Sequence, residues 1–226
     1  MGLSHSPNIV TDGLVLCLDA ANPRSYPGSG SSWLDLSGNG NNGTIYNSLP
    51  FSTNNGGYFD FNNTSNDWYI QGTKSSPPVD SDATIEAFFY AYTNQDSCLY
   101  NQGRSGTSFS HGIRIVSGGN SLRFRNTNGD YSFSPNMTYT SSAWNHIVYA
   151  STSTETLGYI NGLYVGSTLN GVKANSFNQY VIGIRAFNSI SEKFYGRLAY
   201  IRIYHKQLSA DEVRSNYLAT KSRFGL

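Results

Sequence analysis

The residues with the clearest chemical options lie in a loop that reads Asp35-Leu-Ser-Gly-Asn-Gly-Asn-Asn-Gly43. Three glycines and three asparagines in nine residues disfavour helix and strand, and they suit backbone positions with positive φ. Asp35 and Ser37 can accept hydrogen bonds from nearby backbone N–H groups, which predicts a tight structural turn. The alternative is a cation loop in which Asp35 and Asn39 hold a calcium ion, although the carboxylate density is low for such a site.

Glycoside hydrolysis needs two carboxyl groups, one on each side of the scissile bond. The chain has four glutamates, and no two of them are close in sequence: Glu86, Glu155, Glu192 and Glu212. Glu86 paired with Asp60 or Asp67 is the one hydrolase pair left to consider. The sequence therefore favours a protein that is not an enzyme.

Other catalytic and cofactor motifs are missing from the sequence. It contains no Gly-x-Ser-x-Gly elbow, phosphate loop or dinucleotide fingerprint, and its four histidines lack metal-ligand spacing. His146 follows Trp144 by two residues, so both side chains point to the same face of a strand, and we interpret the pair as packing. No cofactor is expected apart from the calcium alternative.

Binding is the chemistry that remains. Aromatic faces stack on the apolar C–H patches of sugars, and planar polar side chains hold the hydroxyl groups. Core packing is the alternative interpretation for the two tryptophans among the candidates. The candidate ligand-binding residues are Trp33, Trp68, Tyr69, Asp67, Arg104 and Arg185, with Tyr26, Phe187 and Asn66 as further candidates.

The composition predicts a weakly charged surface. Apolar residues make up 38% of the 226 residues and aromatic residues 14%, while charged residues contribute 13% and the formal net charge is +1. With so small a net charge the chain has no strong electrostatic attraction to nucleic acid or to an acidic membrane, so neither is expected as a partner. A neutral, tyrosine-rich surface costs little to desolvate, which favours a homo-oligomer.

Three arginines could form a basic patch. Arg114, Arg123 and Arg125 alternate with apolar residues, so they are expected on the face opposite the core. They form either a solvated outer face of two paired strands or a patch for an anionic glycan or acidic protein. The alternating apolar residues are Ile113, Ile115, Leu122 and Phe124.

The two cysteines, Cys17 and Cys98, are most simply small buried hydrophobes, with a disulfide between them as the alternative. The N-terminal residues have neither the basic start nor the apolar core of a Sec signal. No segment has the roughly 20 apolar residues needed to span a bilayer, so no membrane insertion is expected. Residues 1–12 form a polar arm that either docks on another chain or frays.

Most of the chain consists of short apolar–polar alternations bounded by Gly, Asn, Ser or Pro, which predict antiparallel strands and hairpins. Asn161-Gly162 is a type I′ hairpin signal. This pattern predicts an all-β fold, a two-sheet antiparallel jelly-roll sandwich, as one domain over 13–226. The predicted strands are 13–19, 44–46, 58–61, 68–70, 84–92, 98–101, 112–116, 121–125, 130–133, 144–150, 156–160, 163–167, 180–184 and 198–204.

One short C-terminal helix is expected over residues 210 to about 220. Ser209 and Glu212 have the spacing of a capping box. Leu208 before the cap and Val213 after it are placed for a hydrophobic staple. We expect this helix to seal one edge of the sandwich.

Several segments occur together in one order: LVLCLDAAN at 14–22, SYPGSG at 25–30, WLDLSGNGNNG at 33–43, WNHIV at 144–148, GYINGLYV at 158–165 and the stretch 196–217. With them the chain resembles a concanavalin A-like lectin/glucanase domain of the laminin G-like branch. It is particularly similar to versions in structural proteins of tailed phages, including cyanophage-like proteins. The resemblance covers nearly the whole chain and implies a concanavalin A-like jelly roll. The acidic strand motif of the laminarinase-like members is missing.

The resemblance implies a virion structural protein, a capsid decoration or a tail or fibre component, whose lectin-like domain contacts host surface glycans. The expected location is the virion, after synthesis in the host cytoplasm. Expected partners are other virion proteins, reached through the N-terminal arm, and a cell-surface glycan. A free carbohydrate-binding module is the alternative, and a glycoside hydrolase is the third hypothesis.

Overall fold

The computed structural model describes residues 8–62, 65–73, 82–104, 108–126, 128–172, 179–185 and 190–226, with only the backbone of 104 and 108–110. Within these residues the chain forms sixteen strands in two antiparallel sheets. The strands are β1 Leu14–Asp19, β2 Ser32–Trp33, β3 Gly43–Tyr46, β4 Phe51–Ser52, β5 Tyr58–Phe61, β6 Tyr69–Thr73, β7 Ala83–Ala91, β8 Ser97–Arg104, β9 Ser108–Val116, β10 Ser121–Asn126, β11 Gly129–Tyr131, β12 Trp144–Ser151, β13 Thr156–Ile160, β14 Leu163–Thr168, β15 Gln179–Ile182 and β16 Gly196–Tyr204.

The two sheets pack face to face as a sandwich. Sheet A has the order β14-β13-β12-β7-β16-β5-β4, and β1 also pairs with β16. Sheet B has the order β11-β10-β9-β8-β15-β6-β3-β2. The prediction of an all-β sandwich with one C-terminal helix is confirmed, and each predicted strand overlaps an observed one.

The sequence pattern missed β2 and β4, which have two residues each and are too short to show alternation. These two strands are the last in their respective sheet orders, so they form one open edge of the sandwich. The predicted hairpin at Asn161-Gly162 is confirmed, because both residues have positive φ, 51° and 76°, as a type I′ turn requires.

The core lies between the sheets and is supplied by alternate residues of the strands. The apolar residues of β9 and β10 are fully or almost fully buried, as their alternation with arginine predicts: Ile113, Ile115, Leu122 and Phe124. Cys17 and Cys98 are free and buried, so the small-hydrophobe interpretation holds and the disulfide alternative is wrong. Burial raises the pKa of the Cys17 thiol to about 11, which keeps it protonated.

The helix α1 spans Ala210–Thr220 and is followed by a 3₁₀ turn at Lys221–Phe224. The predicted capping box is confirmed, since Ser209 and Glu212 exchange backbone–side-chain hydrogen bonds. Leu208 and Val213 are both buried in one cluster with Tyr204. No helix in the described ranges has the length and apolar character needed to cross a bilayer.

Helix α1 and the 3₁₀ turn cover the outer face of sheet A. Phe224 stacks on Phe88 with ring centroids 3.9 Å apart, and Trp144 lies 4.6 Å from the same ring of Phe224. The backbone N–H of Val10 donates to Asn216 Oδ1 at 2.7 Å, so this residue of the predicted arm contacts the helix. Residues 1–7 of that arm lie outside the described residues.

A buried carboxylate lies at the centre of this covered face. Glu86 in β7 is 0% exposed, and Arg202 Nη1 in β16 contacts its Oε1 at 2.9 Å. His146 Nε2 lies 3.1 Å from the same oxygen and the Tyr200 hydroxyl donates to it at 2.9 Å. Asn216 of α1 donates to Glu86 Oε2 at 2.6 Å, so the network ties the helix to the sheet.

The ion pair determines the charge state of Glu86. Burial alone would raise the pKa of its carboxyl group, but the Arg202 guanidinium and the hydrogen bonds from His146 and Tyr200 outweigh burial and lower the pKa to about 2. Glu86 is therefore ionised at neutral pH. Its charge neutralises that of Arg202, which is 2% exposed.

Replacing Glu86→Gln leaves the Arg202 charge buried without its partner. We expect the free energy of unfolding to fall by about 3–5 kcal/mol, because a single remaining buried charge is strongly destabilising. Chemical denaturation measures this value. Glu155→Gln is the matched control, since Glu155 makes no ion pair with the described residues, and it should change stability by less than about 0.5 kcal/mol. Equal losses in both variants would contradict the assigned role of the pair.

The same ion pair predicts a pH dependence. Because the pKa of Glu86 is lowered on folding from 4.5 to about 2, its contribution to stability is present above pH 4.5 and is lost as the pH falls toward about 2. Denaturation at a series of pH values should show stability falling over that window more steeply in the wild type than in Glu86→Gln. Parallel curves for the two proteins would exclude the linkage.

Candidate binding groove

A groove opens at the edge of the sandwich where β4 of sheet A meets β2 and β3 of sheet B. Its volume is about 570 Å³, which lies in the usual range for ligand sites. The sheets separate here because β3 and β4 are consecutive in sequence but belong to different sheets. The lining residues are Tyr26, Gly28, Gly30, Ser31, Ile45, Asn47, Ser48, Leu49 and Phe51.

One wall of the groove is aromatic. The Tyr26 ring lies 4.9 Å from Phe51 in an edge-to-face arrangement and 4.8 Å from Phe59. The Tyr26 hydroxyl donates to the carbonyl of Gly30 at 3.1 Å, which holds the loop across the groove in place. Gly30 has φ +97°, a value that a side chain rarely tolerates. The wall therefore has a fixed shape.

The opposite end of the groove is polar. Asn47 and Ser48 both have left-handed backbone conformations, φ 61° and 55°, and they turn the chain from sheet B to sheet A. The Asn47 side chain donates to the carbonyl of Asp67 at 2.5 Å, and the Trp68 Nε1–H donates to the carbonyl of Asn47 at 3.0 Å. The described residues offer no partner to Asn47 Oδ1. Trp68 is thus held against the backbone of Asn47, which is itself an exposed residue of the groove lining.

The outer face of sheet B continues from this end of the groove. Tyr46 of β3 and Tyr69 of β6 are directly paired, and their rings stack at 4.3 Å with an interplanar angle of 10°. Both rings are half-buried. Lys193 Nζ lies 2.6 Å from Asp67 Oδ1 and fixes the carboxylate. Tyr46 and Tyr69 therefore form a stacked aromatic pair on the outer face, and Asp67 is held nearby in sequence by Lys193.

Two of the three arginines on sheet B, Arg114 and Arg125, are neutralised by carboxylates. Asp130 accepts hydrogen bonds from both Arg114 and Arg125, and Glu192 Oε2 lies 3.0 Å from Arg125 Nη2. Asp96 pairs with Arg114 at 3.0 Å. Arg125 is 4% exposed, so the prediction of a solvated outer face is wrong for it: the carboxylates compensate the burial of its charge.

The structure brings together three of the predicted site residues. Asp67, Trp68 and Tyr69 are consecutive at the start of β6, beside the groove. Arg185 forms an ion pair with Glu192 at 3.1 Å. Lys193, the next residue after Glu192, forms an ion pair with Asp67.

The prediction that Trp33 binds a ligand is wrong. It is 0% exposed and its ring lies 4.7 Å from Phe59, so it is a core side chain and cannot stack on a ligand. Arg104 ends β8, and its side chain lies outside the described part of the chain. Phe187, named as a further candidate, is also outside it.

The loop at Asp35 is a hydrogen-bonded turn. Asp35 Oδ1 accepts from the N–H groups of Cys17 and Ser37, and Oδ2 accepts from the Ser37 hydroxyl and the Asn41 N–H. Asn39 donates its amide to Ser37 Oγ at 3.0 Å. No group of three or more His, Cys, Asp or Glu side chains in the described residues could hold a metal. The residues present do not fit a calcium ion, because Asp35 is the one carboxylate of the loop and its oxygens are engaged.

The hydrolase pair does not form. Glu86 lies beneath the helix and is inaccessible to substrate. Asp60 accepts from the Tyr92 hydroxyl at 2.7 Å, and Asp67 is paired with Lys193. These three carboxylates therefore serve separate contacts and do not face one another across the groove.

Sequence reasoning missed several residues of the groove, among them Ser31, Asn47, Ser48 and Phe51. Asn47 and Ser48 follow the predicted strand 44–46, and their residue types are typical of a turn. No local signal in the sequence shows that this turn joins two sheets. Tyr26 was the one lining residue that its aromatic character had suggested.

Comparison with known proteins places the chain in a family. The model of the concanavalin A-like lectin/glucanases superfamily, in its laminin G form, matches residues 64–214. Comparison with curated proteins gave no match.

Solved structures share the fold. The binding domain of botulinum neurotoxin serotype D has a TM-score of 0.69 at 12% identity, over 92% of this chain and 52% of that one. Botulinum neurotoxin type C, whose cell entry depends on interaction with two ganglioside molecules, has a TM-score of 0.70 at 14% identity with the same coverage. A Trypanosoma rangeli sialidase mutant displaying trans-sialidase activity has a TM-score of 0.68 at 14% identity, over 96% of this chain and 34% of that one.

At these identities the likeness shows the fold, and this chain spans about half the length of the toxin domains. The family model, in contrast, matches more than half of the chain directly. The chain therefore belongs to the concanavalin A-like lectin/glucanases superfamily, as a member with a laminin G-like domain.

Proposed function

We propose that this chain is a non-enzymatic, lectin-like module that binds a carbohydrate in the edge groove. The observation that carries the proposal is one preformed groove of about 570 Å³ that combines an aromatic wall with the exposed residue Asn47, whose carbonyl accepts a hydrogen bond from the half-buried Trp68. Sugars present apolar C–H faces and hydroxyl groups, and this combination offers a surface for each.

The geometry supports recognition because the groove is held before any ligand arrives. Trp68, Asn47 and Asp67 are linked by two hydrogen bonds, and Tyr26 is tied to its own loop. Side chains that are already ordered lose little conformational entropy on binding. Asn47 Oδ1 would accept a hydroxyl hydrogen bond, and Trp68 would cover a C–H face of the sugar.

The state of the carboxylates supports binding over hydrolysis. A glycosidase acid must keep its proton near neutral pH, which requires a raised pKa. Burial would raise the pKa of Asp130, but hydrogen bonds and charge from Arg125 and then Arg114 outweigh it and lower the pKa. Glu86 is likewise held in the ionised form. Neither carboxyl group is suited to protonate a leaving group.

We further propose that the module is carried by a virion, as a capsid decoration or a tail or fibre component. The support is the resemblance of the N-terminal and C-terminal segments to structural proteins of tailed phages. The ganglioside dependence of the type C neurotoxin is a second, weaker support for glycan recognition, because it concerns a different protein with the same fold. In this setting the groove would attach the particle to a host surface glycan.

Glycan-array binding of the full chain tests the groove. We expect Trp68→Ala and Phe51→Ala each to weaken binding to the best glycan by at least about tenfold, because Phe51 lines the groove and Trp68 is hydrogen-bonded to its lining residue Asn47. Leu169→Ala is the control, since Leu169 is 86% exposed and lies outside the groove. Circular dichroism and the unfolding midpoint would verify folding. Undiminished binding in both aromatic variants, or a wild type that binds no glycan, would contradict the proposal.

Mass spectrometry of purified particles tests the virion role separately. The chain should copurify with the particles in a fixed ratio to the major capsid protein, through density-gradient and size separation. Its absence from particles that are produced while the chain is expressed would reject the virion role. The carbohydrate proposal would stand or fall on the array alone.

A further inference from the structure

A second groove lies on the opposite side of sheet A from the core, between the β13–β14 hairpin turn and helix α1. Its volume is about 320 Å³. The hairpin contributes Gly162 and Leu163, and the helical segment contributes Arg214, Tyr217, Leu218 and Lys221. None of these residues takes part in the edge groove.

The groove exposes apolar side chains. Leu163 is 62% exposed and Leu218 is 38% exposed, and the half-buried Tyr217 lies between the hairpin and the helix. Single exposed leucines are ordinary, but several around one depression form a patch that is typical of partner-binding sites. Burial of these side chains by a partner would supply affinity.

Two cations border the apolar patch. Arg214 is exposed, and neither it nor Lys221 forms an ion pair with any carboxylate in the described residues. Lys221 Nζ instead lies 5.7 Å from the centroid of the Tyr217 ring. The first turn of the helix carries two acids: Glu212 is paired with Lys206 at 2.7 Å, and the exposed Asp211 forms no ion pair with the described residues. The groove thus combines apolar surface with two cations that form no ion pair within the described part of the chain.

The groove is rigid. Gly162 has φ +76°, and a Cβ at this position would lie 2.8 Å from the Tyr217 ring, so the turn packs directly on the helix. Tyr217 stacks on His146 at 5.5 Å, and Asn161 Oδ1 accepts from the His146 backbone N–H at 3.0 Å. These contacts anchor both walls to the buried network of sheet A. A preformed groove of this kind reduces the entropy cost of binding.

We propose that this groove docks an acidic, apolar segment of a partner protein. Carboxylates of the segment pair with Arg214 and Lys221, and its apolar side chains pack on Leu163, Leu218 and Tyr217. Charge complementarity favours this occupant over a basic or neutral one, since opposite charge gives both steering and specificity. The proposal is independent of carbohydrate binding at the edge groove.

Three short synthetic peptides, each labelled with a fluorophore, test the chemistry on the full chain. The acidic–apolar probe combines Glu with Leu, the basic–apolar probe replaces Glu by Lys, and the polar probe replaces Leu by Ser. Fluorescence anisotropy should show saturable binding of the acidic–apolar probe and at least about tenfold weaker binding of the other two. Amide NMR shifts should map the bound probe to Leu163, Tyr217 and Leu218.

Variants then separate charge from apolar contact. Arg214→Glu should weaken binding of the acidic–apolar probe by about tenfold and strengthen binding of the basic–apolar probe. The control Arg24→Glu makes the same charge change at an exposed position elsewhere, so it should alter the affinity for neither probe. Leu163→Ser should weaken both apolar probes, with Leu169→Ser as its control. Both test sites are exposed, so the fold should persist, and unfolding midpoints would verify this.

Three outcomes would overturn the proposal. The first is the lack of saturable binding by the acidic–apolar probe. The second is equal affinity of Arg214→Glu and the wild type for that probe. The third is a wild-type oligomer that Leu163→Ser dissociates in sedimentation experiments, which would show that the occupant is a second copy of this chain.

Discussion

The buried ion pair between Glu86 and Arg202 is the interaction on which the rest of the structure depends. A carboxylate and a guanidinium in the middle of sheet A would be costly without each other, and with their partners they hold helix α1 against the sheet through Asn216. The pair also limits which groups of the domain are accessible at its surface. It closes the outer face of sheet A and removes Glu86 from any role at the surface.

The proposed sugar site lies away from that face, at the open edge of the sandwich. β3 and β4 follow each other in sequence but join different sheets, so the Asn47-Ser48 turn must cross between them. This crossing leaves a groove that Tyr26 lines on one side and Trp68 borders on the other. On sheet B, Asp130 and Glu192 are occupied by neutralising two arginines. Structural charge pairs thus occupy Glu86, Asp130 and Glu192, and the aromatic side of the groove is the surface proposed for recognition.

Much of the fold could be predicted from the sequence, because the signals for strands, turns and the helix depend on residues that are close together in the chain. Alternation defined the longer strands, Asn161-Gly162 defined a hairpin, and Ser209 with Glu212 defined the start of the helix. The site was predicted in part, because residue type does not reveal burial. Trp68 is half-buried and hydrogen-bonded to Asn47 of the groove, whereas Trp33 is fully buried in the core, although both were candidates on the same grounds. Partners distant in sequence, such as Asp130 for Arg125 or Arg202 for Glu86, emerge only from the topology.

The central claim, that the edge groove recognises a sugar without cleaving it, is tested most directly by NMR of the labelled chain with its best glycan. The account predicts that the Trp68 indole N–H and the Asn47 amide signals shift on titration, while the glycan signals stay intact during prolonged incubation. It would be contradicted by shifts centred on Asp130 and Glu192 with Trp68 unaffected, or by the growth of signals from a free reducing end.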